Sequence, residues 1–170
     1  MATRHLVETC VRTIESTLEA NIPAALTDIR INRADNFVTL EPPRDYYIYP
    51  RAMGYRTPAV FIIGDNINFQ KKETGANYIN ANVRVNITVL VEDKDAERLM
   101  IKSYRYQAAV HQVLDQKQFL SADNQAKFTA VIQSATFSPL YSNVDDPKSP
   151  QAVFRREIAL EVDCYLYEQL

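Results

Sequence analysis

Val83, Val85, Ile87, Val89 and Val91 alternate with Asn82, Arg84, Asn86 and Thr88, and this pattern runs through Glu92 and Asp93 straight into the longest helical pattern of the chain. The stretch from Asn80 to Gln116 therefore predicts a long strand that passes directly into a covering helix. A side-chain period of two puts the valine set on one face and the polar set on the other. One face is then buried and the other is wet or meets a polar partner, which favours an antiparallel or mixed sheet with helices on one side. Asp93 and Asp95 stand where carboxylates stabilise a helix N-terminus. Beyond them Ala96, Leu99, Ser103, Tyr106, Val110 and Val113 repeat at helical spacing, with Arg98, Lys102 and Arg105 off that line.

The remaining segments can be laid against this unit. Val7, Cys10, Val11, Ile14 and Leu18 form a helical stripe from Thr3 to about Asn21, with Thr3 as its N-cap. Pro23 is expected to end or kink that helix, and Ala24 to Ile31 to add a turn or begin a strand. Phe37 to Leu40 and Tyr46 to Tyr49 have strand character on either side of Pro42-Pro43. Pro58 to Ile63 is an apolar strand closed by Gly64-Asp65, and Asn66 to Asn77, which contains Lys71 and Lys72, reads as an exposed loop or a pair of ragged strand ends. Asp115 to Asn124 is turn-like, with Phe119-Leu120 tucked inward. Lys127 to Phe137 returns to strand, and Ser138 to Pro150 is a loop. The alternation of Phe154, Ile158, Leu160, Val162, Cys164 and Leu166 predicts a long final strand. The fold class is α+β: a single domain over residues 1–170, with a mixed, mostly antiparallel sheet and two helices packed on one face.

Composition removes several function classes. A formal net charge of -2, with Lys and Arg scattered, offers no broad basic face for a phosphate backbone. The longest apolar runs are about half a dozen residues, against the ~20 a bilayer span needs, and the charged segment after Met1 argues against a secretory leader. Cys10 and Cys164 lie on apolar faces and are expected as buried free thiols, with a disulfide between them the alternative.

Catalytic signatures are missing. No Gly-x-Ser-x-Gly, phosphate-cradling loop or Cys-x-x-Cys occurs, and the three glycines, Gly54, Gly64 and Gly75, stand apart. His111, near the covered face of its helix, reads as a structural histidine. Glu92, Asp93, Asp95 and Glu97 lack the spacing of a calcium loop and read as helix-start charge. The expectation is a non-enzyme without cofactor, metal or catalytic residue. Contact residues are easier to nominate, because Tyr46, Tyr47, Tyr49 and Tyr55 lie among Arg44, Arg51 and Arg56, and Tyr with Arg is enriched at interfaces. The alternative is that two of these tyrosines pack on the core.

The order of elements, with the passage Thr88-Val89-Leu90-Val91-Glu92-Asp93 and the C-terminal Val153-Phe154-Arg155-Arg156-Glu157-Ile158-Ala159-Leu160, resembles the bacteriophage tail terminator (tail completion, neck) proteins. The resemblance implies a virion structural protein, assembled in the host cytoplasm, that forms a hexameric ring. Such a ring caps the tail tube, stops its polymerisation and offers a docking face to the head connector. The implied partners are further copies of the chain, the tail tube protein, the head-tail connector proteins and, for a contractile-tail relative, the sheath protein; DNA only passes through the lumen. Ring subunits need two complementary surfaces, and Arg84, Lys71, Lys72, Arg155, Tyr46 and Tyr49 are the interface residues expected on them. The rival readings are another head-tail joining adaptor, a small cytosolic enzyme built around His111 and the tyrosines, and a monomeric adaptor.

Overall fold

The computed structural model describes residues 5–50, 54–69, 78–120 and 127–169. The chain opens with helix α1 (Leu6–Arg33), whose buried stripe of Leu6, Cys10, Ile14, Leu18, Ile22, Ala25 and Leu26 follows the three- and four-residue spacing of one helix face. Of the outcomes expected at Pro23 and beyond, a stop and a strand do not occur: the helix runs on through the proline, and Ala24 to Ile31 add further helical turns up to Arg33. A proline inside a helix costs about 3 kcal/mol. Full burial of Ile22 and Leu26 returns roughly 1.5–3 kcal/mol each, and the carbonyl that Pro23 leaves without a donor belongs to the exposed Glu19. The helix ends at Ala34, which takes the left-handed conformation and donates its N–H to the carbonyls of Arg30 and Ile31.

Strands follow as β1 (Asp45–Tyr47), β2 (Ala59–Phe69) and β3 (Tyr78–Asp93), then helix α2 (Ala96–Leu114), then β4 (Lys117–Leu120), β5 (Lys127–Phe137), β6 (Tyr141–Ser142) and β7 (Phe154–Gln169). They form one sheet in the order β1-β2-β3-β7-β5-β4, with β6 paired to β7 off that path. Only β1 against β2 is parallel; the other pairs are antiparallel. The α+β class, the mostly antiparallel sheet and the two helices on one face are thus as expected. Val83, Val85, Ile87, Val89 and Val91 are all fully buried, and with Val60, Ile62, Leu160, Val162 and Phe128 they meet the α1 stripe and Leu99, Tyr106 and Val110 of α2.

Several local expectations need correction. Phe37 to Leu40 forms no strand; Val38 is buried there as an isolated anchor. β2 does not close at Gly64-Asp65 but continues to Phe69 through a register shift between Gly64 and Asn66. The shift lies beneath α1, where a Cβ on Gly64 would stand 2.4 Å from Cγ1 of Val7. Residues 117–120, expected as a turn, form β4, and the inward Phe119 meets Phe128 at 5.4 Å with the rings tilted by 36°. A two-residue strand, β6, interrupts the expected 138–150 loop. Arg105, off the apolar stripe, is buried, and its guanidinium donates to both carboxylate oxygens of Asp35 at 3.0 and 2.5 Å, which ties α2 to the end of α1. His111 is exposed and lies 3.5 Å from Asp115. Asp95 does cap α2, accepting the Arg98 N–H at 2.8 Å, and Cys10 and Cys164 are free and buried. The Thr3 cap lies outside the described residues.

Candidate assembly surface

Because both helices pack on one side, the even-numbered positions of β3 and their cross-strand partners form a face that no other element of regular structure covers among the described residues. Register places Asn82 beside Tyr165, Arg84 beside Asp163, Asn86 beside Glu161, Thr88 beside Ala159 and Glu92 beside Arg155. Asn66 and Asn68 of β2 extend the face on one flank, and Thr129, Val131, Ser134 and Thr136 of β5 on the other. On β3 these positions are partly exposed, whereas their odd-numbered neighbours Ala81, Val83, Val85, Ile87 and Val89 are buried.

Two ion pairs mark the face. Arg84 donates from Nε and Nη2 to the two oxygens of Asp163, at 3.0 and 3.3 Å, and Asp163 is only 5% exposed. That hydrogen bond raises the guanidinium pKa and holds Arg84 charged. At the other end Arg155 donates through Nε to Glu92 at 2.7 Å and through Nη1 to the Tyr55 hydroxyl at 2.9 Å, while Thr57 donates to the second Glu92 oxygen at 2.9 Å. Partial burial works against the Arg155 charge, and the bond to Glu92 outweighs it.

Between this second pair and the sheet lies an aromatic step. Ala59, Phe61 and Leu90 point to the uncovered side yet are buried, because Tyr47 and Tyr55 lie over them. Tyr47 stacks on Phe61 at 5.4 Å, Tyr55 meets Phe61 edge-on at 5.6 Å, and Tyr49 meets Tyr47 at 5.6 Å. A cavity of about 210 Å³ opens beside the step, bounded by Tyr55, Phe61, Ile63, Leu90 and Glu157. Its size suits one inserted side chain.

No family model matches the sequence, and no curated protein matches it. Among solved structures, the chain is similar to a chain of the "Virion of native gene transfer agent (GTA) particle". That similarity covers 86% of this chain and 93% of the other, at 12% identity and a TM-score of 0.42.

Of the residues expected at an interface, Arg84 and Arg155 share the uncovered face, eight positions apart along the β3 register. Tyr49 is 50% exposed beside the aromatic step. Tyr46 sits on the helix side, opposite Val60, where its ring joins the main core. Its hydroxyl is buried with no hydrogen-bond partner among the described residues, and burial first, then Glu19, pushes its pKa up. Lys71 and Lys72 lie outside the described residues. Tyr55, one of the tyrosines nominated for contact, holds Arg155 together with Glu92, which reads in the sequence only as helix-start charge; Asp163, which holds Arg84, has no contact role in the sequence reading. Parity was the available signal, since Arg84 and Asp163 each interrupt an alternating apolar run at a position facing away from it. No group of three or more potential metal ligands occurs among the described residues, and no helix among them is long and apolar enough to cross a membrane. The arrangement supplies polar, charged and aromatic contacts over a broad area.

Proposed function

We propose that this chain is a virion structural subunit, a tail terminator that forms a hexameric ring, caps the tail tube, stops its polymerisation and presents its other side to the head connector. The whole chain would act as one unit of that ring, and DNA would meet it only in passing through the lumen. The observation that carries this reading is the uncovered sheet face, added to the resemblance in element order. β3 is 16 residues long, or roughly 50 Å at ~3.3 Å per residue. Four long strands at ~4.8 Å spacing give a face on the order of 700–900 Å². A stable protein interface takes about 800 Å² from each partner, so the face is large enough to seat a neighbour or a tube subunit. Its ion pairs and asparagines suit a wet, polar contact better than a permanent apolar one.

Light scattering on the purified full chain, with negative-stain imaging, tests the ring. The expected mass is about 117 kDa, six times 19.5 kDa, with six-fold rings in the images. A monomer at high concentration would overturn the proposal. Co-sedimentation separates the terminator from another head-tail joining adaptor: a terminator binds tail tube polymers and halts their growth, whereas an adaptor binds connector proteins and leaves tube growth unchanged.

A further inference from the structure

Both outer edges of the sheet are only partly covered, and at opposite ends. β1 pairs with Ala59, Val60 and Phe61 alone, which leaves Ile62 to Phe69 of β2 without a strand on its outer side among the described residues. β4 pairs with Lys127 to Ala130 alone, which leaves Val131 to Phe137 of β5 likewise open. A bare edge is a template for another strand, and proteins ordinarily guard it with lysine, proline or inward charge. Here Val131 to Phe137 (Val-Ile-Gln-Ser-Ala-Thr-Phe) contains no charge and no proline, and Ile62 to Phe69 carries only Asp65. The guards present are one register irregularity in each strand and one backbone N–H, that of Ile132, donated to Asp115 at 3.0 Å.

We infer that the β2 edge of one copy pairs with the β5 edge of the next, so that the sheet continues from subunit to subunit around the assembly. This rests on the ring reading above. Three features favour a second copy as the occupant. The four long strands alternate in direction from β2 through β3 and β7 to β5; an even number of alternating strands makes the junction antiparallel while keeping every helix layer on the same side. The open stretches, residues 62–69 and 131–137, match in length to within one residue. Their faces match as well, since Ile67 and Phe69 share the helix side with Ile132 and Ala135, while Asn66 and Asn68 share the uncovered side with Ser134 and Thr136. Phe69 is 62% exposed in the single chain and gains cover from this pairing.

The short strands also fix the offset. β4 fills the outer position at the level of Phe128 and β1 at the level of Ala59, so a neighbour must slide by about four residues, roughly 13 Å at ~3.3 Å per residue, to clear both. The slide sets Thr136 opposite Asn66 and Ser134 opposite Asn68. A constant shear at each junction is what a curved, closing sheet requires, and a head-to-tail contact of this kind gives a ring where the rotation between copies closes.

The test uses full-length chains carrying Asn66→Cys, Thr136→Cys or both, treated with a short bismaleimide that tolerates a slip of one residue pair. The native thiols are buried and give little background. Pairing as inferred predicts a ladder of covalent oligomers from the double variant, dimers from a mixture of the two single variants, and only monomers from either single variant alone. Self-linked dimers of one single variant would show a two-fold edge contact and overturn the inference. Light-scattering rings in which neither the mixture nor the double variant cross-links would also overturn it, while leaving the terminator reading standing. A chain that is monomeric throughout would remove both.

Discussion

Gly64→Ala probes the contact that seats α1 on the sheet. Gly64 lies in β2 under the first turns of the helix, and an added Cβ would stand 2.4 Å from Cγ1 of Val7 and 3.4 Å from Cγ2 of Val11. Ordinary carbon contacts begin near 3.5 Å, so helix and strand must separate by about 1 Å or Val7 must leave its rotamer. A β-branched side chain in a helix has one strongly preferred χ1, so rotation gives little relief. Overpacking of this kind costs about 1–3 kcal/mol, partly offset by the ~0.5–1 kcal/mol that glycine itself costs in a strand. The expected net loss is about 1–2 kcal/mol, or roughly 2–8 °C in melting temperature for a chain of this size. Val7→Ala alone removes two half-buried methyl groups, for about 1 kcal/mol. In the double variant the clash is gone, and its stability should equal or exceed that of Gly64→Ala alone. Urea denaturation at fixed pH, comparing midpoints at unchanged slope, measures all four corners of the cycle. Additive losses in the double variant, or a Gly64→Ala midpoint indistinguishable from the parent, would refute the close approach of α1 to β2.

Other parts of the structure yield further expectations. Tyr106 is fully buried and its hydroxyl donates to the Glu41 carbonyl, so Tyr106→Phe should cost about 1–1.5 kcal/mol; an unchanged urea midpoint would show that water replaces the bond. The Asp45 carboxyl is held down to about 2 by the Arg56 side chain and then by the Arg56 amide. Asp35 is held below its ordinary value chiefly by Arg105. At Asp93 burial pulls upward, but the Lys102 bond and the Asp95 amide outweigh it. Since the folded values lie below the unfolded ones, the native chain binds fewer protons than the unfolded chain. The stability these groups supply is therefore complete above about pH 4 and is lost as pH falls toward 2; a urea midpoint constant from pH 4.5 to 2.5 would contradict this. Cys10 and Cys164 are both fully buried, and the Cys164 thiol is pushed up by its bond with Cys10 and by burial. Neither should react with a thiol reagent at pH 8 until denaturant is added, when both of the chain's cysteines become titratable; rapid labelling of the native protein would show that α1 lifts from β7.

What could be read from the sequence tracks how local each cause is. The β3 face, the Asp95 cap and the β5 and β7 strands depend on periodicity and neighbours a few residues away, and they appear where expected. A stop at Pro23 is suggested by its local cost, which is visible in the sequence, whereas the burial of Ile22, Ala25 and Leu26 that carries the helix onward is not. The burial of Arg105 is equally non-local. It lies off the apolar stripe, and the carboxylate that holds it is 70 residues away, just after α1. β2 was cut short at Gly64 because a glycine beside an aspartate resembles a turn, whereas here the missing Cβ makes room for Val7.

The uncovered face shows a further limit, and it bears on how that face works. Parity put Arg84 on the polar side of β3, but not beside Asp163, because the pairing of β3 with β7 joins segments 79 residues apart. The pairing changes the chemistry expected of Arg84. An unpaired arginine on a sheet would act mainly as a positive charge, steering an acidic partner over a distance that salt shortens. Held on Asp163 it is locally neutralised and fixed in orientation. Two of its five N–H groups are engaged by Asp163, which leaves three for a carbonyl or carboxylate of a neighbour. Lysine, with a compact ammonium on a flexible stem, could satisfy Asp163 without keeping a planar fork aimed outward. Arg84→Lys should therefore preserve the fold better than Arg84→Ala, which strands the nearly buried Asp163, while weakening assembly almost as much. Equal loss of fold in both variants would assign Arg84 to stability alone, and full assembly by the lysine variant would reduce its part to charge.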